Sequence, residues 1–168
     1  MDLIVGATGL LGGEICRRLR AANKSVRALV RSTADKAKIE NLKSLGVELD
    51  SGDLKARASL DKACHGISAV ISSANSVLSR QAGDSIQTVD LEGQKNLISA
   101  AREAGVDHFI FVSLSSNLDI DCPLTRAKRA VEEHLRQSGL GFTILLPAAF
   151  KEIWLSPAVG FDFPNAKA

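Results

Sequence analysis

The feature that most constrains this chain is a recurring alternation of short apolar runs with longer amphipathic stretches. The runs cover residues 2–6, 25–30, 46–51, 67–73, 107–113 and 141–147, and each has the length of a β-strand. Most place Val, Ile, Leu or Phe on consecutive positions, the pattern of strands buried on both faces of a parallel sheet; 25–30 and 46–51 are more mixed, as expected nearer an edge. Helical stretches are expected over about 10–22, 33–44, 55–64, 84–104 and 124–138. In the longest, Ile86, Val89, Gly93, Leu97 and Ala101 step by three or four, which puts one small and apolar stripe against a sheet. Strand and helix alternate throughout, so the fold expected is α/β, a doubly wound parallel sheet in strand order 3-2-1-4-5-6 with helices on both faces.

Composition narrows the class. A chain of 168 residues with 45% hydrophobic content holds one domain and a core of its own. Lys and Arg number 21 against 19 Asp and Glu, without a long run of either sign, which argues against a nucleic-acid surface. Cys16, Cys64 and Cys122 are odd in number and have no C-x-x-C spacing, so neither a disulfide framework nor a zinc site is expected. His65, His108 and His134 have no ligand spacing and read as structural or exposed; no metal is expected. The start, MDLIVGATG, lacks the basic and apolar regions of a leader and is far too short to span a bilayer. A cytoplasmic protein without a membrane partner is expected. After residue 147 the alternation stops, so residues 1–150 are read as the main domain and 151–168 as the start of a truncated C-terminal substrate-binding portion.

The most informative segment is GATGLLG, residues 6–12, which leaves the first strand and enters the first helix. Gly6 permits the turn, Gly9 lets backbone approach a ligand, Gly12 lets helix and strand pack closely, and Thr8 adds a hydroxyl. Free amides and the positive end of the helix dipole favour an anion there, and this strand-turn-helix context is what a dinucleotide site of the Rossmann type requires. An acid about 20 positions beyond the glycines would accept the ribose hydroxyls of NAD. Here Arg31 stands instead, with no acid between Val26 and Ala34, so NADP is preferred and NAD remains possible; Ser32 and Lys36 lie near enough to assist. Asp53, in GDL at the end of the third strand, is either an adenine contact or the N-cap of the helix after it. Ser73 and Ala74 end the fourth strand with small groups that leave room for a cofactor. Ser113, Ser115 and Ser116 follow the fifth strand as ligand contacts or turn residues, and Asp119 and Asp121 as residues of a loop over the site. Lys128 is placed in the first turn of the 124–138 helix, either facing the ligand edge of the sheet or solvated beside Glu132.

Together, GATGLLG, the VRALVRS second strand, the third strand ending in GDL, DLEGQKNLISAAREAGV, and KRAVEEHLRQSGLGFTILLP from residue 128 resemble the atypical, NmrA-like branch of the short-chain dehydrogenase/reductase superfamily. The resemblance covers the whole chain. It implies a cofactor shelf at Gly6, Thr8, Gly9, Leu10, Leu11, Gly12, Arg31, Asp53, Leu54, Ser73 and Ala74, with Lys128 at the nicotinamide ribose and Pro147 to Phe150 closing over the nicotinamide end. It departs from most of the superfamily at the Tyr-x-x-x-Lys pair. The position four before Lys128 is Leu124, and the chain has no tyrosine. What the resemblance implies is therefore an NADP-binding oxidoreductase acting on a small acceptor such as a quinone or carbonyl, with Lys128 as catalytic group. The alternative is a cofactor-sensing regulatory protein without turnover. Helices 84–104 and 124–138 are the faces on which a homodimer would form.

Overall fold

The computed structural model describes residues 1–77, 79, 81–117, 120–148 and 150–154. Asp119 and the 155–168 part of the expected C-terminal portion lie outside the described residues. Six parallel strands, β1 (Asp2–Val5), β2 (Val26–Val30), β3 (Glu48–Ser51), β4 (Ala69–Ser72), β5 (His108–Val112) and β6 (Gly141–Leu145), form one sheet in the order β3-β2-β1-β4-β5-β6. This is the order expected from the sequence. Between them run α1 (Leu10–Ala21), α2 (Lys36–Ser44), α3 (Arg57–Cys64), a π-helical stretch (Ile86–Gly93) leading into α4 (Gln94–Glu103), and α5 (Pro123–Arg136); α6 (Lys151–Trp154) follows β6. The single helix expected over 84–104 is thus two winding types joined end to end, the first with the wider turn that is rare and concentrates at functional sites.

Strand alternation sends neighbouring side chains to opposite faces, so β1 feeds both cores. Leu3 and Val5 join Leu60, Leu97, Phe109, Phe111, Val131 and Leu135 on the face covered by α3, α4 and α5. Ile4 joins Cys16, Ala28, Val30 and Leu42 on the face covered by α1 and α2. α5 packs on the π-helical stretch and α4 within the chain. β3 is an edge with partly exposed residues, as its mixed composition suggests, and β2 is buried inside it. β6 departs from its apolar sequence: Phe142 and Leu145 are 40% and 46% exposed on the opposite edge. No helix among the described residues is long and apolar enough to cross a membrane.

The order reverses at β1, which pairs with β2 on one side and β4 on the other, and Val5 is in register with both Leu29 and Ser72. Loops leaving β1 and β4 diverge there to opposite faces and leave a crevice at the carboxyl ends of the strands. The chain turns at Gly6 with φ +94°, and Gly12 brings α1 so close that a Cβ on it would stand 2.1 Å from the Gly6 carbonyl oxygen. That contact is backbone on backbone and cannot be relieved by a rotamer change. Gly12→Ala is expected to destabilise the protein by about 1–3 kcal/mol, the usual cost of overpacking, measured as a lower denaturation midpoint in urea.

Candidate functional site

The crevice is a cleft of about 500 Å³ along the carboxyl edge of the sheet. Its floor is the 6–12 loop. Gly6, Thr8, Gly9, Leu10, Leu11 and Gly12 all line it, with the Gly9 N–H donating to the Gly6 carbonyl at 2.9 Å. Gly9 is the N-cap of α1, has no side chain to cap the first turn, and no acid follows in that turn. The positive end of α1 therefore opens on the cleft, an arrangement suited to an anion. A Cβ on Gly6 would stand 2.8 Å from the Ala74 amide nitrogen and 2.9 Å from Ser73 Oγ, so the exit of β4 is pressed against the turn.

At one end the cleft is lined by Arg31, Lys38, Asp53 and Leu54. The cation that joins Arg31 on the wall is Lys38; Ser32 and Lys36, expected to assist, do not line it. Asp53 is not the N-cap of α3, which begins at Arg57 behind Ala56. Its Oδ1 instead accepts from the Lys55 amide at 2.8 Å, closing a turn before the helix. The Arg31 guanidinium is not free: its Nη1 donates to Asp84 Oδ2 at 2.6 Å. Asp84, whose side chain is 3% exposed, also accepts from Lys55 Nζ and from the Ser79 hydroxyl. Burial would raise its carboxyl, but donation by Lys55, Ser79 and Arg31 outweighs that and holds it down at about 2.

Behind Ser73 and Ala74, which line the middle of the cleft, two wholly buried polar side chains hold the exit of β4. Gln94 accepts from Ser72 Oγ at 2.8 Å and donates to the Ala74 carbonyl at 3.0 Å. Asp90 accepts at Oδ2 from the Ser76 amide at 3.0 Å and from its hydroxyl at 2.6 Å. The other oxygen, Oδ1, has no hydrogen-bond partner and faces Lys128 Nζ at 3.9 Å.

Lys128 lies in the second turn of α5, not the first, and it is 5% exposed, so the reading of a solvated helix lysine is overturned. Its Nζ donates to the Val112 carbonyl at 3.2 Å and sits 4.8 Å from the centre of the Phe111 ring. Burial lowers its pKa, and Asp90 and Glu132 act in the opposite sense. Ser113 and Leu124 line the cleft beside it, with Phe150, and Ile153 of α6. The Ser113 hydroxyl donates to Glu132 at 2.5 Å, and that buried carboxylate also takes Arg129 at 2.5 Å and Arg136 at 3.3 Å. Ser115 and Ser116 do not line the cleft; Ser115 Oγ accepts from the Asn117 amide within a turn. Of the segment expected to close over the site, Phe150 lines the cleft, Pro147 and Ala148 do not, and Ala149 lies outside the described residues; the Pro147 carbonyl accepts from the Ser115 amide at 2.9 Å.

His65 is exposed and its backbone carbonyl accepts from Arg27, whereas the His108 ring bonds the Thr143 hydroxyl at 2.9 Å. Among the described residues no cluster of His, Cys, Asp and Glu could hold a metal ion. Sequence reasoning missed Asp84, Asp90 and Gln94. Asp90 and Gln94 directly follow Val89 and Gly93 of the apolar stripe and are four apart, the one local sign that they face inward.

Several known proteins are similar to this chain. A photosystem II assembly factor, Ycf39 of Cyanophora paradoxa, is 40% identical over 149 residues, 88% of this chain and 45% of that protein. The NAD(P)H azoreductase of Xenophilus azovorans is 31% identical over 153 residues, 90% of this chain and 49% of that protein. Citrobacter sp. triphenylmethane reductase, solved in complex with NADP(H), superposes with a TM-score of 0.75 at 27% identity, covering 94% of this chain and 53% of that one. The chain spans about half the length of the curated relatives it matches. The family model described as the NmrA-like family matches residues 3–167, and the chain belongs to that family.

Proposed function

We propose that the cleft binds a nicotinamide dinucleotide, NADP(H) or NAD(H), and that the chain is the cofactor-holding part of an oxidoreductase acting on a small acceptor such as a quinone or carbonyl. The observation that carries this reading is the uncapped N-terminus of α1, opened on the cleft by a glycine turn. In this reading the first-turn amides of α1 hold the pyrophosphate, Asp53 and Leu54 border the adenine, and Arg31 with Lys38 faces the adenosine ribose and its 2′-phosphate. Ser73 and Ala74 give the cofactor room at mid-cleft, and Ser113, Lys128 and Phe150 border the nicotinamide end.

The bound nicotinamide supplies the hydride chemistry, and the protein supplies position and field. Lys128 is the group at that end able to steady negative charge on an acceptor oxygen or pass it a proton. Its ammonium is kept in a water-poor pocket by Asp90, the Val112 carbonyl and the Phe111 ring, where its field is screened little. Leu124 fills the wall one turn before it and brings no proton donor. A second reading, a dinucleotide-binding protein without turnover, is favoured by the 40% identity to a protein named as an assembly factor.

Calorimetric titration with NADP(H) and NAD(H) is expected to give saturable binding. Gly9→Asp tests the anion seat directly. Gly9 is exposed at an ordinary backbone angle and an aspartate is a favoured N-cap, which works against the tight 3.1 Å approach of its Cβ to the Gly6 carbonyl oxygen; a melting curve checks that the variant folds, while the new carboxylate repels the pyrophosphate and binding falls at least about 10-fold. Unchanged affinity would remove the seat from this loop. If the protein turns over, Lys128→Met is expected to cut the rate of NADPH oxidation with quinone or aldehyde acceptors by roughly 100-fold or more, with dinucleotide still bound. Tight binding by the unaltered protein with no oxidation by any acceptor of the panel would establish the second reading instead.

A further inference from the structure

The adenosine end of the cleft carries a charge pattern that the chain order conceals. No acid lies at the end of β2, yet a carboxylate stands against Arg31 from 53 residues further on. Asp84 binds Arg31 Nη1 at 2.6 Å and pairs with Lys55, and Lys55 is also 3.6 Å from Asp53. Two cations thus face two carboxylates, and Lys38 is the further cation on that wall. Arg31, 36% exposed, lines the cleft, whereas Asp84, 3% exposed, does not, so the carboxylate lies on the buried side of the pair. Three donors satisfy Asp84, which accounts for a buried charge at this place.

We propose that Asp84 is a specificity-determining residue: as internal counter-ion to Arg31 and Lys55, it sets how strongly the chain prefers a 2′-phosphorylated dinucleotide over an unphosphorylated one. This rests on the dinucleotide reading above. The physical argument is one of sign. A guanidinium has five donors and Asp84 engages one nitrogen, so Arg31 can still reach a 2′-phosphate. That phosphate then lies in the field of the carboxylate behind the guanidinium and gains less than it would from an uncompensated arginine. A 2′-hydroxyl carries no charge and is nearly indifferent to the same field. Asp84 therefore narrows the preference for NADP that Arg31 alone would give.

The test is the ratio of dissociation constants for NADP⁺ and NAD⁺, measured by calorimetry on the whole chain. Asp84→Asn keeps the shape and an acceptor oxygen but removes the charge. It is expected to move the ratio about 10-fold toward NADP⁺, with the NAD⁺ constant changed less than about threefold. A ratio moved by less than about threefold, or moved toward NAD⁺ because the carboxylate serves to aim Arg31 at the phosphate, overturns the proposal. Should a melting curve show that Asp84→Asn does not fold, Lys55→Met keeps the carboxylate and strips one of its cations. The ratio should then move at least about threefold toward NAD⁺, and a smaller or opposite shift overturns the proposal. If the unaltered chain binds neither dinucleotide, the dinucleotide reading fails and this proposal falls with it. Binding of both with an unmoved ratio removes Asp84 alone.

Discussion

The approach of α1 to β1 at Gly6 and Gly12 is the constraint on which the rest depends. A peptide carbonyl meets a helix backbone where any side chain would stand 2.1 Å away, and this closeness lets α1 start immediately beyond the sheet edge. With its N-cap left bare at Gly9, the first turn of the helix points its amides into the crevice rather than onto a capping side chain. The same turn is pressed by Ala74 from the neighbouring strand, and Ala74 is tied in turn by Gln94. Floor and middle of the cleft are therefore tied to each other. They are built from β1, β4 and the start of α4, and the residues at either end are hung on them.

That organisation explains which parts were legible in the sequence. β1, β4 and β5 lie inside the sheet and must be apolar on both faces, so they appear as unbroken runs, and the glycine loop is local, its geometry dictated by residues six apart. The edge strand β6 shows why such runs mislead about burial: its apolar residues form a strand whether or not anything covers them, and Phe142 is left 40% exposed. Inside the helical stretch after β4, Asp90 and Gln94 look like the polar half of an amphipathic pattern. They are buried because two serines and a carbonyl at the exit of β4 need partners, a demand set by tertiary contact and not by periodicity. Pro147 does not line the cleft, and its carbonyl accepts from the Ser115 amide, a tertiary contact that no local pattern announces.

Arg31 gives the sharpest contrast between chain order and space. The rule that an acid near the end of β2 selects an unphosphorylated ribose is a rule about a place, and sequence distance is only its usual proxy. Asp84 reaches that neighbourhood from the far side of β4, after the chain has crossed the sheet. A reading confined to residues near Arg31 counts a bare cation, whereas the folded corner holds Arg31, Lys55, Asp53 and Asp84 within one set of ion pairs.

Lys128 poses the opposite problem, a charge visible in the sequence with two readings, ligand edge or solvated helix face, between which only burial decides. A lysine in a helix with Glu132 one turn on reads as a surface pair, yet Glu132 is committed to Ser113, Arg129 and Arg136, and the lysine goes inward. An ammonium buried to 5% exposure costs several kcal/mol unless compensated, so a chain that retains it must supply compensation nearby. It does so with a carboxylate whose second oxygen has no hydrogen bond, a strand carbonyl and an aromatic face. None of these is a close, saturating ion pair, and the 3.9 Å gap to Asp90 leaves the ammonium with donor capacity unspent. A lysine serving the core alone would be better replaced by an apolar residue of equal length. Lys128 lines the wall of the cleft with donors to spare, and that geometry is what its proposed role rests on.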